Sequence, residues 1–127
     1  MKITIFVSSL IIFFSCQSKT EEQNPQKAKQ LYSKGMKILD DRIAIQANNR
    51  ENAMELNKRA IEMFSAAYKA DTTFSDAALF ASECTMYGKD FQECIYWTTK
   101  LMNLDTSQQN IVFCTNRIKD CKEQLSK

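Results

Sequence analysis

Ala60-Ile61-Glu62-Met63-Phe64-Ser65-Ala66-Ala67-Tyr68-Lys69-Ala70-Asp71-Thr72-Thr73 decides the fold, because its pattern returns 34 residues later as Cys94-Ile95-Tyr96-Trp97-Thr98-Thr99-Lys100-Leu101-Met102-Asn103-Leu104-Asp105-Thr106-Ser107. Ala60 falls on Cys94, Ile61 on Ile95, Phe64 on Thr98 and Ala67 on Leu101, and Asp71-Thr72-Thr73 falls on Asp105-Thr106-Ser107. Steps of three and four between the apolar positions place them on one face of a helix. The Asp-Thr cluster ends each helix and opens the next.

Working outward, Ala28, Leu31, Gly35, Ile38 and Ile45 mark an earlier helix of about twenty residues, broken at Asn48-Asn49. Ala53 and Leu56 begin the face that Ala60 continues. Ala77, Ala78, Ala81, Cys84 and Tyr87 mark a third helix, with Gly88 expected as its left-handed terminator. A fourth runs over 91–104 and a last over about 108–125. Two glycines and one proline in 127 residues exclude most turn-rich β architectures, and the Ala, Leu, Met, Glu, Lys and Gln content favours helix. The chain reads as all-α.

Two helices per 34-residue unit resemble the tetratricopeptide repeat. Ala60-x-x-x-Phe64-x-x-Ala67 followed by Asp71-Thr72 is similar to the family's second helix, and Gly88-Lys89-Asp90-Phe91-Gln92-Glu93-Cys94 to the turn that enters it. Leu31-x-x-x-Gly35 resembles a first helix, in an opening unit lengthened by about thirteen residues. Thr72 and Thr106 stand where the family has a loop proline, and Ser82 and Asn116 where it has a glycine. The resemblance implies antiparallel hairpins stacked as a short solenoid of about five helices over 27–127, each hairpin burying its neighbour's open apolar face. A generic five-helix bundle is the plainer alternative.

Residues 1–15 read as a leader: Lys2, then twelve largely apolar residues over 3–14, too few to span a membrane. Phe13-Phe14-Ser15-Cys16 resembles a bacterial lipobox, although Phe13 and Phe14 replace the usual Leu and small residue. That resemblance implies cleavage before Cys16 and a lipid on its sulfur, anchoring the chain to a membrane. An ordinary secretory leader cut elsewhere is the alternative. Residues 16–26 are expected to form the lipidated start and a polar tether of about 17–19 Å. Gln17 in place of an inner-membrane retention Asp points to the outer membrane, and Lys19-Thr20-Glu21-Glu22 resembles a surface-export run or is simply a spacer.

Past Cys16 lie Cys84, Cys94, Cys114 and Cys121, which the hairpin geometry brings toward one end of the last three helices. Cys114 and Cys121 cannot bridge within one helix, since seven residues rise about 10.5 Å. Possible disulfides are 84–114 with 94–121, 84–121 with 94–114, or 84–94 alone. Unbonded core cysteines and a four-thiolate zinc site are the other readings.

Removing Lys2 leaves 16 basic against 15 acidic side chains, a balance that gives no electrostatic ground for nucleic-acid binding. No histidine is present and no Gly-rich phosphate loop exists, so neither an enzyme, a metal site, a cofactor nor a small-molecule substrate is expected. The repeat resemblance instead implies a protein-binding groove on the first helices, made of Tyr32, Met36, Leu79, Glu83, Met86, Tyr87, Phe113 and Arg117. The expected function is an envelope adaptor, a lipid-anchored protein holding another envelope protein or peptide segment. A structural subunit of an outer-membrane assembly and a thiol- or metal-binding protein are the alternatives.

Overall fold

A computed structural model describes residues 22–127, so the leader, Cys16 and the tether as far as residue 21 lie outside the described residues. Five helices follow in order: α1 (Pro25–Ile45), α2 (Arg50–Ala70), α3 (Ser75–Tyr87), α4 (Phe91–Leu104) and α5 (Gln108–Leu125). The chain is all-α, and each helix packs chiefly against its neighbours in sequence, as hairpins stacked one on the next.

Local chemistry sets the boundaries. Asn24, Asn49, Asp90 and Ser107 each accept a backbone N–H in the first turn of α1, α2, α4 and α5, caps worth about 1 kcal/mol each. Pro25, expected in the tether, is the first residue of α1, where its missing N–H costs nothing. Gln23 and Asn24 are also tied down: Thr72 donates its N–H to the Gln23 Oε1 at 2.7 Å, and the Asn24 N–H reaches the Ala70 carbonyl at 2.6 Å. The domain therefore begins a few residues before the tether was expected to end.

Gly88 does not take the left-handed conformation expected of it; φ is −74° there, and Lys89 is the left-handed residue at φ 58°. Lys89 sits inside a closing loop in which the Asp90 N–H reaches back to the Thr85 carbonyl and the Gly88 N–H to that of Cys84. Glycine at 88 relieves a tight spot instead, because a Cβ would stand 3.1 Å from the Asn57 Nδ2.

Small side chains let the helices approach closely. Ala28, Ala53, Ala60, Ala67, Ala77, Ala78 and Ala81 are fully buried, around Phe64, Leu39, Trp97 and Leu101. The tightest approach is at Gly35, where a Cβ would lie 2.7 Å from the Phe64 ring. In the second unit Thr98 takes the place of Phe64, and its hydroxyl pairs with Ser82 at 3.1 Å. Tyr32, Phe64, Phe74 and Phe80 form an aromatic cluster with ring centroids 5.0–5.9 Å apart, which fastens α3 to the first hairpin.

Because the Phe64 ring is fully buried and cannot yield, Gly35→Ala is expected to lower stability by about 1–3 kcal/mol. Urea unfolding measures this, and Phe64→Leu in the same chain should recover part of the loss. An unchanged midpoint would remove the contact from the account of the fold.

Candidate interaction groove

On the side of the stack where α1, α3 and α5 follow one another, two hollows lie end to end. The first, about 500 Å³, takes Leu39, Arg42 and Ile43 from α1 and Leu79, Phe80, Glu83, Met86 and Tyr87 from α3. The second, about 430 Å³, is walled by Leu79 and Glu83 on one side and by Asp105, Ser107, Gln109, Asn110 and Phe113 on the other. Leu79 and Glu83 line both, so the hollows adjoin across these two side chains and together make the candidate groove. A larger hollow of about 690 Å³ lies along the start of α2, but its walls come from that helix alone and are mostly charged or polar. The first hollow has the mixture of large apolar walls and few polar groups that binding sites use, whereas the second is mostly polar apart from Leu79 and Phe113.

Expected groove residues separate into two groups. Leu79, Glu83, Met86, Tyr87 and Phe113 line the groove, and Arg117 stands beside it with its guanidinium 4.4 Å from the Phe113 ring. Tyr32 and Met36 line neither hollow: Tyr32 is part of the aromatic cluster and Met36 packs against the core. The length of α1 explains the difference. Its groove wall comes from Leu39, Arg42 and Ile43, in the turns that lengthen the opening unit. These stand four, seven and eight residues after Gly35, the ordinary helical steps of one face, and continuing that face would have found them.

Two polar networks hold the groove in shape. Arg117 donates to the Ser82 Oγ and to the Glu83 Oε1, both at 2.7 Å, and Ser82 continues to Thr98. At the other end Arg42, 8 % exposed, donates from Nη1 to the Asn57 Oδ1 at 2.8 Å, while the Asn57 Nδ2 donates to the Cys84 carbonyl at 2.8 Å. The Arg42 guanidinium lies 4.0 Å from the Tyr87 ring centre, a stacking worth about 2 kcal/mol when desolvated. Tyr87 thus covers a buried cation besides facing the groove.

Cys84, Cys94, Cys114 and Cys121 are fully buried free thiols, so none of the expected pairings is formed in the structure. Cys94 and Cys121 are thiol neighbours, and the Cys121 Sγ also lies 3.7 Å from the Met86 Sδ. Cys84 has Arg42 and Asn57 around it instead, and Cys114 has Asn110 and Arg117. Hence the four do not gather into one cluster. Among the described residues no group of three or more His, Cys, Asp or Glu side chains could hold a metal, and no helix is long and apolar enough to cross a membrane.

Burial pushes the Cys84 thiol up to about 11, against an ordinary value of 9.0, with Arg42 partly opposing. Burial likewise raises Cys114, and burial with the adjacent Cys94 raises Cys121. Comparison with known protein families, characterised proteins and solved structures finds no match for this chain.

The raised Cys84 value fixes a sign for alkaline stability. Below about pH 9 the thiol is neutral in both states; between 9 and about 11 the unfolded chain releases the proton that the folded chain keeps, so stability falls as pH rises. Denaturation midpoints should decline across that window, and Cys84→Ala should make the decline shallower by up to about 1.4 kcal/mol per pH unit. Identical slopes in the two proteins would show that Cys84 does not contribute.

Proposed function

We propose that this chain is a lipid-anchored adaptor of the bacterial cell envelope, whose helical-repeat domain holds a segment of another envelope protein in the groove formed by α1, α3 and α5. The pair of hollows that adjoin at Leu79 and Glu83 carries the reading. Its side chains are of the kinds that dominate interface cores: aromatic, Met and Arg. Phe113 and Ile43, 38 % and 51 % exposed, offer apolar area at its two ends, and Met86 gives an adaptable wall. The tetratricopeptide-like pattern supports the reading independently, since such repeats bind extended peptides or helices on this side. The leader and the lipobox-like Cys16 support an anchor at the membrane, with the outer membrane favoured by Gln17.

A second reading, a fixed subunit of a larger envelope assembly, draws on the last helix. Val112 and Leu125 are 49 % and 48 % exposed on α5, which has no following helix among the described residues. In a stacked fold, that end is where a further helix or another protein would continue the array.

Capture of the tagged, membrane-anchored protein with cross-linking from its native envelope separates the two. Leu79→Ala and Phe113→Ala are the informative variants, because Tyr87→Ala would also uncover Arg42. Loss of one stoichiometric partner by more than about tenfold, with the unfolding midpoint held, is the expected result. Retention of the partner in both groove variants, with loss on Val112→Asp, would overturn the adaptor in favour of the assembly subunit.

A further inference from the structure

Arg42 is an expensive residue in this position. Burying the charge of a residue that is 8 % exposed costs several kcal/mol in desolvation, and well-packed apolar residues commonly replace buried charges without loss. Neutral partners offset part of the cost: the Asn57 carbonyl oxygen and the Tyr87 ring. No carboxylate among the described residues does so. Among the described residues the ion pairs are Arg117 with Glu83 and Lys119 with Glu123. Glu83 is the single acidic side chain lining the same hollow, and it is committed to Arg117 at 2.7 Å. The Arg42 Nε is buried without any acceptor.

We infer that the α1–α3 hollow is a subsite for an acidic side chain, Asp or Glu, carried on an apolar stretch of the partner, with Arg42 as its counter-ion. The inference rests on the groove reading above and gives that partner a chemistry. Beside Tyr87 and the Glu83 held by Arg117, the walls around Arg42 are the apolar Leu39, Ile43, Leu79, Phe80 and Met86, so the acid must arrive flanked by large apolar side chains. The second hollow adjoins this one across Leu79 and Glu83, and a segment that occupies both passes over Arg42, which suits a side-chain carboxylate better than a chain terminus. An entering carboxylate supplies the negative partner that Arg42 does not find among the described residues, in a setting where charge-assisted bonds are strongest.

The test uses the full chain in detergent micelles. The probes are fluorescent twelve-residue peptides, acetylated and amidated, with Leu or Phe at alternate positions and Glu, Gln or Lys at the centre. The Glu peptides should bind at least about tenfold more tightly than the Gln peptides, with Lys weakest. Arg42→Gln should erase the preference of Glu over Gln, and Arg42→Lys should keep part of it. The Glu-to-Gln change in the peptide tests the idea on the unaltered protein, so a variant that folds poorly does not rescue it. Equal binding of Glu and Gln peptides, still weakened by Phe113→Ala, would overturn the counter-ion and leave the adaptor standing. Tighter binding of Gln peptides with a free C-terminal carboxylate would overturn the choice of side chain over terminus. Binding by none of the peptides would overturn the hollow as a peptide subsite, while the adaptor itself is decided by the capture experiment.

Discussion

Asn57 is the buried polar side chain that ties the first hairpin to the second, beside the aromatic cluster. It lies on α2, is 1 % exposed, and faces α1 with its oxygen and α3 with its nitrogen. A buried amide is tolerated only when its donors and acceptor are used, and here each use comes from a different helix. Several other features follow from this placement. Arg42 can be buried because Asn57 accepts from it; the Cys84 carbonyl at the end of α3 takes a second donor beside the Gly88 N–H; and a Cβ at residue 88 would crowd the amide nitrogen at 3.1 Å.

The two units solve the same packing problem with different chemistry. In the first, a glycine admits an aromatic ring, Gly35 against Phe64. In the second, two hydroxyls meet, Ser82 and Thr98, at 3.1 Å. A ring fills its space by volume alone, whereas a buried hydroxyl needs partners. Ser82 finds its other partner in Arg117, which also holds Glu83. The exchange of an apolar contact for a polar one is what links the core of the second hairpin to the groove surface.

Much of the fold was legible because periodicity is a property of the chain itself. The all-helical class and the turns at Asn48-Asn49, Asp71-Thr72 and Asp105-Thr106 follow from spacing and cap chemistry, and the helices begin and end at those places. The departures share a cause: they depend on what lies across the interface. Gly88 carries the usual signal for a left-handed residue, but it sits against Asn57 of another helix in a right-handed conformation, and Lys89 makes the left-handed turn. Tyr32 has the composition of a groove residue, yet Phe74 and Phe80 draw it into the aromatic cluster. Five of the expected groove positions line it, all on α3 and α5, where the 34-residue spacing holds. On α1 the spacing does not hold, and there Leu39, Arg42 and Ile43 form the wall.

The attachment of Gln23 and Asn24 to the corner between α2 and α3 has a mechanical consequence. Thr72 and Ala70 receive the incoming chain through short hydrogen bonds just before α1 begins. A pull on the N-terminal side is delivered at that corner as well as to the end of α1. Tension is therefore shared between the first hairpin and the start of the second, and α1 cannot be peeled from its end until the corner bonds part. Under load from that side, the chain is built to hang from its middle.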